Sequence, residues 1–233
     1  MLTEALTYIR RTENPTRTVL IGTLLTMLGF LIVPLFMVLG FAVRVVRAAQ
    51  TDDEPPVWED WKELTVDGVK MFAIALAYTL IPILLLLVGI GTASITIDPE
   101  TGAATFQSFT ALSIATLTLS AVISLAVAYV LPIGIAHFAE TGRIGDAFKF
   151  GQFKSAATNS TYAIAWLLAV AVNIVGGAVL GAVAIVPLLG FFLAAALAFY
   201  LNVVTWYIYG RGIGLSEGLP QRPEPEDISG PAV

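Results

Sequence analysis

Long neutral stretches separated by short clusters of charge dominate this chain. No charged residue or histidine lies between Arg17 and Arg44, Lys70 and Asp98, Glu100 and His137, or Lys154 and Arg211. Each gap exceeds the about 20 helical residues that cross a hydrocarbon layer roughly 30 Å thick. Barrel strands would instead alternate apolar with polar over about 10 residues, and the run from Ile81 to Val88 does not alternate. Helices satisfy their own backbone groups in lipid, and they are what remains. The pattern predicts four full spans, at about 70–91, 108–135, 157–179 and 184–208. The last two share one uncharged stretch, with Gly176, Gly177 and Gly181 marking the turn between them. The linker 92–107, GTASITIDPETGAATF, reads as a polar turn.

Leu2, Ala5, Leu6 and Ile9 recur at helical spacing, with Glu4, Arg10 and Arg11 elsewhere, which predicts a short helix lying on the membrane surface. Asn14 and Pro15 end it. A basic start ahead of an apolar run also suggests a signal peptide, but the run is too long and lacks a small-x-small exit, so the segment is read as retained.

The stretch 18–43 has two readings, and basic residues choose between them because short cytoplasmic loops keep Lys and Arg. The loops 44–70 and 136–156 and the tail carry nine basic residues, whereas the linker 92–107 and the turn near 180 carry none. The two large loops and the C-terminus are therefore read as cytoplasmic. A single crossing by 18–43 strands Arg10, Arg11 and Arg17 outside. A re-entrant hairpin turning around Gly29 to Pro34 puts all twelve basic residues inside, and it is favoured. Two arms of about 12 residues would each rise about 18 Å, leaving the turn at membrane depth.

The predicted fold class is thus all-α: a polytopic transmembrane helical bundle with a re-entrant N-terminal hairpin and amphipathic cytoplasmic connectors. It divides into a surface amphipathic helix (1–17), a transmembrane domain (18–211) and a disordered acidic tail (212–233) rich in Pro and Gly. A weak repeat fits this layout. Pro34, Phe41, Arg44, Asp60 and Trp61 are echoed by Pro132, Phe138, Arg143, Asp146 and Phe148, and Tyr209 to Arg211 opens a partial third copy.

Composition sharpens the picture. With 57% hydrophobic and 12% charged residues, the chain holds more apolar surface than one water-soluble core could hide. Its net charge of −5 argues against nucleic acid as a partner, which needs a basic face. An acidic, lysine-poor exterior suits a high-salt cytoplasm. Cysteine is absent, which removes disulfides, thiolate metal sites and thiol nucleophiles.

Candidate chemistry is sparse. In the connector PPVWEDWKELTVDGVK, Trp58 and Trp61 lie three apart, on one face if helical, and read as interface anchors; Glu59 and Asp60 could bind a cation or a partner instead. Phe148, Phe150 and Phe153 repeat the theme in the second connector. His137 and Glu140 form an H-x-x-E pair, yet a metal needs further ligands and the chain has no other His. No metal or cofactor is expected.

The spans hold no Asp, Glu, Lys or Arg, which counts against a proton-coupled pump. Their neutral polar groups are Asn173, Asn202 and a face of Ser113, Thr116, Ser120 and Ser124. Packing between helices is the plain reading, and a hydroxyl-lined passage, together with Gly29 and Pro34 at the hairpin turn, is the rival. Gly177 and Gly181 form a G-x-x-x-G step that permits close packing against this chain or another. No P-loop, Rossmann glycine pattern, Gly-x-Ser-x-Gly elbow or H-E-x-x-H appears, so an enzyme is not expected.

Several short motifs together carry a resemblance. They are the Gly-Phe-x-x-Arg-Val-x-Arg of Gly40 to Arg47, the Pro-x-x-Trp-x-Asp-Trp of Pro55 to Trp61, the Asp67, Gly68 and Lys70 that follow, and the stretch from Gly142-Arg143 to Ala147-Phe148. Over about 18–211 the chain resembles the multi-pass membrane family, common in haloarchaea, catalogued as domain of unknown function number 4013. Phe41 stands where that family's pattern leads one to expect tyrosine. The resemblance implies a bundle in the cell membrane and a haloarchaeal source, and it carries over no catalytic residues.

Two functions stay open from the sequence. One is a non-enzymatic component that organises membrane lipids or binds a partner, either a second copy or another membrane protein. The other is a channel or carrier for a small neutral solute, motivated by the hydroxyl face and the half-helices.

Overall fold

The computed structural model describes residues 1–102, 104–186 and 189–221. Its N-terminus is a short helix α1 (Leu2–Thr7) continued by a 3-10 turn, Tyr8–Arg11. Ala5, Tyr8 and Ile9 are buried, while Leu2 and Leu6 face outward. Helix α2 (Pro15–Met27) then starts on Pro15, whose fixed φ and missing N–H suit a first turn.

The chain breaks at Leu28–Leu31 and resumes as α3 (Ile32–Thr51). The two helices run antiparallel. Arg11, just before α2, pairs with Asp52, just after α3, at 3.3 Å. Gly22 of α2 and Phe41 of α3 both meet the ring of Phe199. At the turn the backbone bonds to itself: Gly29 N–H donates to Thr26 C=O at 3.1 Å and Leu31 N–H to Leu28 C=O at 2.8 Å. Phe30, Ile32 and Val33 splay outward there, with Phe30 80% exposed.

Helix α4 (Trp61–Gly91) begins nine residues before the expected span. Pro55 and Pro56 and a left-handed Asp60 (φ 51°) keep the preceding segment out of the helix, so Trp58 and Trp61 do not share a helix face. Beyond α4 the linker is not a plain turn but a two-stranded antiparallel hairpin, β1 (Ser94–Ile97) and β2 (Ala104–Ser108). A run rich in Ile and Thr favours extended chain. The Asp98 carboxylate accepts from the N–H groups of Glu100 and Thr101, closing the bend.

Helix α5 (Ala111–Thr141) follows, capped by Thr110, whose side chain accepts from Ser113 N–H. The second connector holds a 3-10 turn (Ile144–Phe148) and the one-turn α6 (Lys154–Ala157). Helix α7 (Ser160–Ala184) runs straight through Gly176, Gly177 and Gly181, so the expected turn lies further on, after Ala184. Glycine is tolerated within membrane helices, and Pro187 is the stronger stop signal in the sequence. Helix α8 (Leu189–Glu217) also outruns its expected end, burying Gly212, Ile213 and Gly214, so residues 212–217 are helix rather than tail. Disorder expected at 222–233 lies outside the described residues.

Five helices (α3, α4, α5, α7 and α8) are long and apolar enough to cross a membrane, one more than the four full spans expected. The addition is α3, whose apolar start continues through Arg44 and Arg47 to Thr51. It is the hub. Gly40 of α3 and Gly68 of α4 face each other so closely that a Cβ on Gly40 would lie 1.8 Å from the Leu64 carbonyl, and one on Gly68 would lie 1.8 Å from that of Phe36. On another side, Gly210 and Gly214 of α8 press on the carbonyls of Val46 and Gln50. These seams let backbones approach where lipid supplies no hydrophobic drive.

Candidate functional site

Polar structure concentrates at the end of the bundle where the N-terminus, the end of α8, both long connectors and all the described basic residues gather. Asp52 is its first node. Held in the left-handed region (φ 58°) as the α3 C-cap, it faces Arg11 at 3.3 Å, Arg211 at 3.4 Å and the Tyr207 hydroxyl, which donates at 3.3 Å. Tyr207 packs on Tyr8, with ring centroids 4.3 Å apart. One carboxylate thus ties α8, α3 and the N-terminal helix together.

Asp67, nearly buried, is the second node, with Arg47 at 3.6 Å and Lys70 at 3.5 Å. Arg47 also donates to the Ala139 carbonyl and Lys70 to that of Gly142, which fastens α3 and α4 to the end of α5. The third node, Asp146, pairs with Lys149 at 2.6 Å and Arg143 at 2.9 Å. Hydrogen bonds from Lys149 and then Arg143 hold its carboxyl down at about 2.

His137 closes the ring. One imidazole nitrogen faces the Ile133 carbonyl at 3.0 Å and the other stands 3.4 Å from Glu217 of α8. Among the described residues no three His, Cys, Asp or Glu side chains are grouped to hold a metal.

The aromatic candidates divide. Trp58 is buried, stacked on Phe41 at 4.2 Å, and its Nε1 donates to the Thr18 carbonyl of α2. Its neighbour Trp61 is 41% exposed and lies flat beside it at 5.9 Å. Phe153 is buried against His137, whereas Phe148 stacks on Tyr78 and Phe150 is exposed. Sequence spacing could not separate these roles, because two prolines and a left-handed residue set the first connector's path.

The neutral polar residues of the spans mostly bond protein. Ser113 is buried among the hydroxyls of Thr110 and Thr92, at 2.9 and 3.2 Å. Ser120 donates to the Pro82 carbonyl of α4 at 2.7 Å. Thr116 bonds its own helix at Leu112, and Asn173 reaches Thr205 of α8 at 2.9 Å. Ser124 is exposed, and the carbonyl oxygen of Asn202 is buried with no partner. Gly29 lies in the hairpin turn and Pro34 in the first turn of α3.

Three grooves open sideways from the bundle. One of about 420 Å³ lies between α4 and α5, walled by Tyr78, Phe148 and Phe150. Another of about 460 Å³ lies where the N-terminal segment meets α2 and α8. A smaller one, about 180 Å³, touches Ser120 and Ser124 and is otherwise lined by Thr79, Pro82, Ile83 and Leu86 of α4.

A family model described as protein of unknown function (DUF4013) matches residues 27–186, more than half of the chain. The chain belongs to that family. The match starts at the last residue of α2 and stops short of α8, so DUF4013 covers Asp52 and Asp67 but neither Arg11, Tyr207 nor Arg211. No curated protein and no solved structure matches the chain.

Proposed function

We propose that this DUF4013 protein is a non-enzymatic membrane component that organises lipids or partner proteins around a fixed helical frame. The observation that supports it is the use of the span hydroxyls: Ser113 and Ser120 bind neighbouring helices, and the groove at Ser120 holds no residue of the hairpin turn. A frame tied across helices at Asp52 and Asp67 resists the rocking that alternating access requires. Purified protein in liposomes should pass glycerol no faster than empty liposomes; protein-dependent efflux that Ser120→Phe blocks would favour a carrier.

In this reading the basic end is cytoplasmic and the α2–α3 hairpin is re-entrant. Helix α2, with 13 residues, rises about 20 Å, short of a crossing. Two hydrogen bonds within its turn and the outward Phe30, Ile32 and Val33 side chains suit a bend that meets lipid. The chain has no cysteine to remove. An impermeant thiol reagent outside intact cells should label Glu100→Cys and spare Glu13→Cys; labelling of both would mean that the segment crosses.

A further inference from the structure

The groove at the N-terminal segment is unlike the others because it carries unneutralised positive charge. Its walls are Leu6 and Ile9, Pro15, Thr16, Val19 and Leu20 of α2, and Tyr200 of α8, with Arg10 lining it directly. The Tyr200 hydroxyl donates to the Leu6 carbonyl, fixing the surface segment over α8. Leu20 is 64% exposed and Leu6 43%, so the trough is open and apolar along its length.

Carboxylates face Arg11, Arg44, Arg47 and Arg211 at 3.3 to 3.7 Å. Arg10 is exposed and forms no ion pair among the described residues. Neither does Arg17, one residue beyond Thr16, which lines a separate small polar pocket with Glu13 and Glu59. In a chain of net charge −5, Arg10 in the wall of an apolar trough of about 460 Å³, with Arg17 exposed one residue along α2 from the Thr16 wall, specifies a ligand with an anionic head and an apolar tail.

We infer that this groove holds an anionic phospholipid of the cytoplasmic leaflet. One acyl chain lies along Val19 and Leu20, and the phosphate sits on Arg10 with Arg17 beside it. The inference rests on the cytoplasmic placement of the basic end. There α1 lies at headgroup depth, and the half-span α2 leaves the trough facing that leaflet alone. Arginine favours this role because its fork meets phosphate oxygens in pairs.

The test is lipid retention by the full chain in nanodiscs of mixed phosphatidylglycerol and phosphatidylcholine, read by native mass spectrometry. Wild type should retain phosphatidylglycerol preferentially. Arg10→Gln should weaken retention about fivefold and the Arg10→Gln, Arg17→Gln double variant about thirtyfold, since each basic residue near an anionic surface is worth about a factor of five. Thr16→Trp, at an exposed wall position, should also lower retention by filling the trough. Equal retention of both lipids by wild type, or unchanged preference in the double variant, would overturn the inference. So would a preference that survives Thr16→Trp and is competed away by inorganic phosphate, which would reduce the site to a phosphate contact. None of these outcomes depends on glycerol flux, so failure here is distinguishable from failure of the organising role.

Discussion

Gly68→Ala lowers the apparent melting temperature of the detergent-solubilised protein by about 5 °C, whereas Gly177→Ala leaves it unchanged or raises it. Both are mid-helix glycines, and alanine gains about 1 kcal/mol of helix propensity at either. What differs is the neighbour. At Gly177 nothing lies within 4 Å of the added methyl, while at Gly68 the Phe36 carbonyl lies 1.8 Å away. No rotamer change relieves a backbone clash, so α3 and α4 must separate, at the upper end of the about 1–3 kcal/mol that overpacking costs. The net loss is about 2 kcal/mol, which at this chain length corresponds to that shift. Gly40→Ala should behave like Gly68→Ala, because the two glycines face each other. Equal shifts for Gly68→Ala and Gly177→Ala would show that the seam does not hold the hub together.

Asp52→Asn destabilises the same preparation by about 2–3 kcal/mol and frees the N-terminal segment. Asparagine accepts the left-handed conformation as readily as aspartate, so the substitution removes charge and leaves the backbone alone. Arg211, 14% exposed, then has no carboxylate, and its Nε already lacks a partner. Stripping a buried cation of its partner costs about 3–5 kcal/mol; partial exposure at this node reduces that figure, and Arg11, at 42% exposure, adds little. Arg211→Gln in the same chain should recover part of the loss, the mark of coupled residues. Limited proteolysis should cut near Thr12 sooner in Asp52→Asn than in wild type. A variant as stable and as resistant as wild type would remove Asp52 from its role.

How much of this was legible in the sequence depends on the range of the interaction. Charge-free gaps marked the spans because lipid solvation acts on each segment separately, and Gly29 and Pro34 bracketed the break between α2 and α3. Contacts between distant segments left no such trace. The G-x-x-x-G of Gly177 and Gly181 faces open space, while the same spacing at Gly210 and Gly214 presses α8 on α3. The closest seam is made by Gly40 and Gly68, neither with a second glycine four residues away, so glycine spacing did not tell which positions bring helices together. Asp52 looked like one acidic residue among several. Its importance comes from a left-handed cap that aims it at residues near both ends of the chain. Trp58 could not be told from Trp61 by spacing, since the decision was made by Asp60.

A helical pair that enters a bilayer and turns back takes up room in one monolayer and none in the other. On the proposed reading, with the hairpin re-entrant and the basic end in the cytoplasm, α1, α2 and the first connector would add cross-section on that side, while α4, α5, α7 and α8 would continue beyond the turn. The molecule would then taper toward the outside. Copies gathered side by side would fit best where the membrane is convex toward the cytoplasm, a preference for curvature that stands or falls with the labelling of Glu13→Cys.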